Sequence, residues 1–278
     1  MNAGEIRNQG VEVLLSGTPV RTGALTWDVA VNWSTNRSKV LSMPEGVTEI
    51  VFQDDRIANK LAVGGSIGDL YGRPYKRDDQ GQLIIDAAGF PTWTDTYVKM
   101  GNAMPDWLGG ITNTVSWKNI TLSFLIEVRH GGDAYDTGLR NRLRNGVDYR
   151  TALRNVDVVF DGVTADGKAN TQAVRLDGET YYRNESRYNG VADILLQDAS
   201  WVRLRTASLS YAFPRAIIGK ALSALSLSVS GNNLWLSTPF KGFDPEGNAY
   251  GSGNNQFGYT GMNIPATRSI NVSLNASF

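Results

Sequence analysis

The chain has 278 residues, enough for one large domain or two ordinary ones. Its 27 basic and 27 acidic residues cancel, so no strong field favours nucleic acid as a partner. The absence of cysteine and the single histidine argue against disulfides, zinc sites and Cys/His or Ser/His/Asp catalysis. No apolar run exceeds three residues, whereas a membrane helix needs about 20. We therefore predict no catalytic residue, no metal and no cofactor.

Apolar and polar residues alternate along most of the chain, which is typical of β-strands with two different faces. At the C-terminus, for example, Ile270, Val272 and Leu274 alternate with Asn and Ser. The phase of the alternation changes near Thr206, which predicts a β-bulge there. The pattern predicts about nine strands, at 6–16, 24–40, 65–77, 82–86, 107–117, 119–130, 197–213, 221–236 and 266–278.

The connections between these strands alternate between short and long. Short turns are predicted at 17–23, 78–82, 117–119 and 214–223, the last with one helical turn. Long loops are predicted at 42–64, 86–106, 131–196 and 237–265, with a helix around 139–155. The alternation predicts an antiparallel, all-β, up-and-down meander with all short turns at one end and all long loops at the other.

The polar face of these strands carries mostly Ser, Thr and Asn, whereas a strand face in contact with water usually carries Lys, Glu and Arg. Several strands have the length of about ten residues with which a tilted strand crosses a membrane. Trp33, Trp117, Trp201 and Trp235 lie near predicted strand ends, where aromatic girdles form. The pattern favours a transmembrane β-barrel with long extracellular loops, and a soluble β-sandwich or β-solenoid is the alternative.

Several motifs, in order along nearly the whole chain, resemble the SusC/RagA type of TonB-dependent outer-membrane transporters. They are "NAGEIRNQGVEVLL" (2–15), "GGSIGDLYGRPY" (64–75), "GNAMPDWLGGITNTVSWKNITLSF" (101–124), "GGDAYD" (131–136), "LLQDASWVRLRTASLSYAFP" (195–214), "SGNNLWLSTPFKGFDPE" (230–246) and the terminal "SF". The resemblance implies a barrel of about 22 strands that imports oligosaccharides, peptides or other bulky nutrients. It also implies the outer membrane of a Gram-negative bacterium as the location.

The resemblance implies several partners as well. A SusD-like surface lipoprotein would cover the long loops, the TonB complex would supply energy, and membrane lipid would surround the barrel. We see no signal peptide, TonB-contacting segment or plug domain in the sequence, so we expect residues 1–278 to be the C-terminal part of such a barrel. An odd number of strands supports this expectation, because bacterial single-chain barrels use even numbers.

Candidate site residues fall into three groups. Arg203, Arg205, Glu127 and Asp28 are predicted on the lumen-facing side, where the arginines either bind an anionic solute or pair with the carboxylates. Phe278 resembles the terminal signal read by the barrel-assembly machinery, with a place in the aromatic girdle as the alternative. Weak candidates for solute contact are the loop aromatic residues Tyr135, Tyr181, Tyr182, Phe240 and Tyr250, although packing between loops is the more ordinary role.

Two other functions stay open on sequence grounds. The chain could form a small stand-alone outer-membrane pore or adhesin. It could also be a soluble carbohydrate-binding β-domain, which would explain its seven Trp residues. Acidic turns at 161–170 and 241–248 contain residue types that bind calcium, but they lack the spacing of an EF-hand.

Overall fold

The computed structural model describes residues 4–219, 221–250, 256–261 and 264–278. Its main feature is a seven-stranded sheet, which we call the wall. The wall strands are β1 (Glu5–Arg21), β2 (Leu25–Ser42), β3 (Trp107–Trp117), β4 (Ile120–His130), β5 (Trp201–Ala212), β6 (Ala224–Ser237) and β7 (Ser269–Ser277). Each strand pairs antiparallel with the next along the chain, so the wall is an up-and-down meander, and β1 and β7 are its two edges. The predicted fold class is confirmed, and the sheet is open.

Short turns connect the wall strands at one end. The turn between β3 and β4 has two residues, and Lys118 adopts the left-handed conformation with φ of 52°. The turn is tied to both neighbouring hairpins, because the Lys118 amide donates to Ala24 O over 2.8 Å and Asn119 Nδ2 donates to Ala212 O over 2.7 Å. The turn between β5 and β6 holds one helical turn, Arg215–Ile218, as predicted.

The predicted bulge is present in β5. Both pairings of this strand shift register between Leu204 and Thr206, so Arg205 has no residue directly opposite it in the register of either neighbouring strand. The extra residue restores the alternation, which places Leu209 and Tyr211 on the same face as Leu204.

Three long loops leave the other end of the wall: loop A (43–106), loop B (131–200) and loop C (238–268). Their short strands form small sheets of their own: Glu49–Asp55, Ile57–Ala62, Asp69–Gly72 and Val98–Asn102 in one sheet; Asp133–Asp136, Leu196–Asp198 and Tyr259–Thr260 in a second; Asp157–Val159 with Ala173–Arg175; and Ile84–Ile85 with Val163–Thr164. The prediction of about nine wall strands is therefore wrong by two. Segments 65–77 and 82–86 belong to loop A, where strand Asp69–Gly72 ends before Pro74, a residue without an amide hydrogen to donate.

Loop B contains the predicted helix in shortened form, over Thr137–Asn145. Asp136 caps its start by accepting a hydrogen bond from the Leu139 amide over 3.0 Å. Gly146, with φ of 70°, ends the helix in the left-handed conformation, so the predicted extension to 155 does not form. One-turn helices follow at Tyr149–Thr151, Gly178–Tyr182, Glu185–Asn189 and Ala192–Leu195.

The buried apolar side chains lie in the loops rather than in the wall. The largest cluster contains Ile57, Leu70, Ala103, Tyr135, Leu139, Leu143, Ala192, Leu195 and Tyr259, which all belong to loops A, B and C. A second cluster packs Phe90 and Val174 against Tyr181 and Tyr182. Among the described wall residues, Val40 and Trp201 are the buried large apolar ones, and both lie at the loop end.

Candidate functional site

One face of the wall is apolar from edge to edge. The strand register aligns one residue of each strand into a continuous row: Val20, Trp27, Val115, Leu122, Leu209, Val229 and Val272. Many of these side chains are exposed, and Val272 reaches 69%. Trp27, Phe124, Leu227 and Leu274 join no buried cluster of the described chain. No second layer of the described chain covers this face, as a soluble β-sandwich would require.

The opposite face is polar over the same strands. One row consists of Thr26, Ser116, Thr121, Ser210, Ser228 and Ser273, and the next of Asp28, Thr114, Ser123, Ser208, Ser230 and Asn271. Hydroxyl groups bond across strands, with 3.1 Å between Thr114 Oγ1 and Ser123 Oγ and the same distance between Ser116 and Thr121. Such short, uncharged side chains can line a water-filled space without closing it.

Near the loop end, the polar face carries a network of two arginines and three carboxylates, which we call the arginine network. Arg203 Nη2 lies 2.8 Å from Asp244 Oδ1 and 3.1 Å from Glu246 Oε2. Arg205 bonds to Glu127 through Nε and to Glu246 Oε1 through Nη2 over 2.5 Å. Both guanidinium groups lie 5.5 Å from the ring centre of Trp201.

The arginine network attaches loop C to the wall. Asp244 accepts hydrogen bonds from the Glu246 amide over 3.0 Å and from the Ala266 amide over 3.1 Å, so one carboxylate organises both ends of the loop segment. Arg203 is 3% exposed and Asp244 is 7% exposed. Removal of one partner of a buried pair leaves an uncompensated charge, at a typical cost of about 3–5 kcal/mol. The buried Arg203–Asp244 pair is therefore the critical contact.

A groove of about 970 Å³ lies next to this network. Its polar lining includes Glu12, Asn32, Ser34, Glu127, Arg129, Arg205 and Glu246, and its apolar lining includes Leu14, Leu108 and Trp201. The volume is at the upper end of the range for small-molecule sites, about 300–1,000 Å³. A groove with charges of both signs and apolar patches suits a polar solute with mixed groups.

A second ionic contact joins loop A to loop B. Glu185 accepts from Arg56 Nη2 and from Arg140 Nη2, the latter over 2.6 Å. Burial alone would raise the pKa of Glu185, but the hydrogen bonds and charges of the two arginines outweigh burial and hold that pKa below its ordinary value. Nearby, burial raises the pKa of Tyr188 to about 12, so its hydroxyl stays neutral.

The charged residues predicted for the lumen and the terminal Phe278 lie in different surroundings in the structure. The polar face carries all four predicted lumen residues, Arg203, Arg205, Glu127 and Asp28. Arg205 contacts Glu127, whereas Arg203 contacts Asp244 of loop C. Asp28 accepts a hydrogen bond from Thr18 Oγ1 over 2.5 Å. Phe278 follows β7 and is 93% exposed. Its role in assembly stays a prediction.

The loop aromatic candidates are mostly unsuited to solute contact. Tyr135, Tyr181, Tyr182 and Phe240 are at most 7% exposed, because they pack into the loop clusters, so the structure does not support them as binding residues. Tyr250 is 40% exposed and lies 5.4 Å from the ring of Tyr259. Asp244 and Glu246 are predictable from the sequence only as members of an acidic turn with calcium-binding residue types, since nothing in a loop sequence shows which wall strand the loop contacts.

No group of three or more potential metal ligands occurs among the residues that the structure describes. No helix in the described ranges is both long and apolar enough to cross a membrane.

No protein-family model matches the chain. The TonB-dependent receptor P3 of Formosa agariphila is 29% identical over all of this chain, and receptor P26 of the same organism is 27% identical. The TonB-dependent receptor SusC of Bacteroides thetaiotaomicron is 23% identical over 88% of the chain. This chain spans only 29% and 30% of the lengths of P3 and P26 and 24% of SusC. These proteins are named as receptors, and none is named as an enzyme.

Solved structures show the same fold. The RagAB peptide transporter superposes with a TM-score of 0.70 at 20% identity, over 100% of this chain and 30% of the matched one. The RagAB peptide importer in its 'closed-closed' state gives 0.71. The resemblance in the sequence motifs is thereby confirmed: over its whole length, the chain is similar to a portion of the TonB-dependent receptors of the SusC/RagA type.

Proposed function

We propose that the chain is the C-terminal barrel portion of a TonB-dependent importer of the SusC/RagA type in a Gram-negative outer membrane. The observation that carries the proposal is the exposed apolar face of the wall, together with the polar opposite face. In this arrangement the apolar face contacts lipid and the polar face lines a hydrated lumen.

The height of the apolar face fits a membrane. The row of Trp117 and Ile120 marks its lower end, and Trp107 stacked on His130 at 5.3 Å marks its upper end. The ten residue steps between these rows on β4 span about 34 Å along the strand, or about 26 Å at a tilt of about 40°. Membrane barrels carry an apolar band of about 25 Å between aromatic girdles.

The wall needs further strands to close. Its edge strands β1 and β7 run in the same direction, so they cannot pair antiparallel with each other. Unpaired edge N–H and C=O groups are not tolerated in lipid. We propose that strands outside residues 1–278 complete the barrel, in agreement with the 29% and 30% of the curated relatives' lengths that the chain spans.

The partners follow from the same assignment. Loops A, B and C form the outer rim on which a SusD-like lipoprotein would sit, and TonB would act through parts of the protein outside this chain. The barrel-assembly machinery would read the segment that ends at Phe278. The solute class is a bulky polar nutrient such as a peptide or an oligosaccharide, and the groove beside Arg205 and Glu246 is its contact on this wall.

The topology can be tested in intact cells. An epitope is inserted after Asp166, in an exposed turn of loop B, and separately after Lys118, in the short turn. Antibody binding to the first tag on unbroken cells and to the second only after lysis supports the proposal. Equal accessibility of both tags, or a full-length protein that stays monodisperse without detergent, contradicts it. Uptake of the nutrient that depends on both this gene and TonB then tests import.

A further inference from the structure

Three exposed cations lie together on the apolar side of the wall, on the parts of β1 and β2 that extend above the row of Trp107 and His130. They are Arg7 on β1 and Arg37 and Lys39 on β2, which we call the cationic row. Arg7 lies directly opposite Lys39, and Arg37 lies opposite Gln9. Opposite residues of an antiparallel pair share a face, and the odd-numbered positions of β2 continue upward from Val31 and Trp33.

Contacts of the intervening residues confirm which way the row faces. The Val40 amide donates to Gly65 O over 2.8 Å, and Val40 is fully buried. Ser38 Oγ lies 2.9 Å from Ser66 Oγ. Loop A thus covers the inner side of β2 at this height, which leaves Arg37 and Lys39 on the outside.

The row is electrostatically unfavourable by itself. Like charges directly opposite each other destabilise a strand pair, and the third cation lies on the neighbouring diagonal. Among the described residues no carboxylate forms an ion pair with any of the three. Glu5, two positions before Arg7 on the same face of β1, neutralises at most one of the three cations. Asp106, at the adjacent strand end, is 3.6 Å from His130, and Glu12 faces the other side opposite Ser34. An external anion is therefore the counter-charge for the remaining positive charge.

The apolar surface below the row identifies the kind of anion. Val11, Val13 and Leu15 continue down β1 on the same face and are 55%, 39% and 65% exposed. A ligand that uses the whole surface carries negative charge at one end and hydrocarbon at the other. We propose that the cationic row binds the phosphate group of an outer-leaflet lipid whose acyl chains lie on this strip. The inference rests on the proposed function, because that function makes the loop end the outer side.

The test uses the full-length gene product that carries this chain, purified in detergent and freed of lipid. Binding of lipid A is measured by native mass spectrometry, beside its dephosphorylated form with the same acyl chains and beside inorganic phosphate. The variant Arg7→Gln/Arg37→Gln/Lys39→Gln is compared with the control Lys168→Gln/Arg175→Gln/Arg183→Gln. The control removes the same charge from exposed loop cations that already have acidic partners.

Each cation near a phosphate contributes on the order of fivefold in affinity, so the row variant should bind lipid A at least tenfold more weakly, while the control binds it like the wild type. Dephosphorylated lipid should bind weakly to all three proteins, and inorganic phosphate should not compete at equal concentration. Equal binding by wild type and row variant, no preference for the phosphorylated form, or equally tight inorganic phosphate would each overturn the proposal.

A single charge reversal provides a second test of the proposal. Arg7→Glu places a carboxylate opposite Lys39, so it should stabilise lipid-free protein while it weakens lipid A binding. Parallel gain or parallel loss of both properties contradicts the proposal. A protein that needs no detergent refutes the proposed function itself, whereas detergent dependence with unchanged lipid binding in the row variant refutes only this inference.

Discussion

The Arg203–Asp244 pair should control the attachment of loop C, which can be tested with Arg203→Gln. The substitution removes the cation that lies 2.8 Å from Asp244 and leaves this carboxylate buried. The cost of such a break is about 3–5 kcal/mol, which corresponds to a factor of roughly 10² to 10⁴ in the local opening equilibrium. The wall should remain folded, since its strand pairing does not involve these side chains.

Two amides report the effect directly. The Glu246 and Ala266 amides both donate to Asp244, so their hydrogen exchange should accelerate by a factor of roughly 10² to 10⁴ in Arg203→Gln, in line with the cost of an unpaired buried charge. Exchange in β3 and β4 should change little. Arg175→Gln is the matched control, because its pair with Asp157 is exposed and worth at most about 1 kcal/mol.

A double variant separates loss of the pair from loss of packing. In Arg203→Met/Asp244→Leu no buried charge of the pair remains, but the Glu246 and Ala266 amides lose their acceptor. The readout is therefore taken from the Gly247 and Ala249 amides of loop C, which donate to backbone carbonyls and should recover much of their protection. Protection in Arg203→Gln within about threefold of the wild type would refute the reasoning. So would a double variant that is as open as the sum of the two single variants, because the two residues would then be uncoupled.

Three further predictions concern the loops and the apolar face of the wall. Glu185 has a lowered pKa in the folded protein, so its contribution to loop attachment should be fully present above its unfolded-state pKa of about 4.3. This contribution should be lost as the pH falls through the folded-state pKa. Glu185→Gln should abolish the pH dependence, which is measured by hydrogen exchange of the loop amides normalised for intrinsic rates. Phe124→Arg, near the middle of the apolar band, should cost about 2–4 kcal/mol in bilayer refolding, whereas Ser123→Arg, on the polar face, should cost much less. Gly146→Ala should destabilise the helix end by about 1–2 kcal/mol, visible as a lower melting temperature of the loops.

Each of these predictions has a result that contradicts it. A pH response retained in Glu185→Gln would assign the titration to another group. Equal losses for the arginines at 123 and 124 would show that the two faces do not differ in solvent. An unchanged melting temperature in Gly146→Ala would show that the left-handed end of the helix contributes no stability.

The wall was predictable from sequence because alternation is a local property. The two-residue period located all seven wall strands, and the phase change at Thr206 located the bulge. The alternation of apolar and polar residues over 65–77 led to the wrong prediction of a wall strand there. A short loop strand such as Asp69–Gly72 has the same local pattern as a wall strand. Strand length separates them in the structure, because Asp69–Gly72 has four residues and the shortest wall strand has nine.

The candidate site was less predictable because its contacts are long-range. Arg203 and Asp244 are 41 positions apart, and neither neighbourhood contains a sign of the other. The loop tyrosines illustrate the same limit. Tyr135 and Tyr181 look like surface aromatic residues in a polar sequence, yet small loop sheets bring them together with partners far along the chain and bury them.

The separation between a buried loop core and an uncovered wall sets two different rules for sequence change. A fluid of acyl chains adapts to any apolar outline, so Leu, Ile, Val and Phe should interchange freely at positions such as Val229 and Leu274. Leu139 and Tyr259 have rigid neighbours on every side, and an altered volume there leaves a void or a clash. Homologues should therefore drift fastest in identity, but not in hydrophobicity, along the membrane-facing rows.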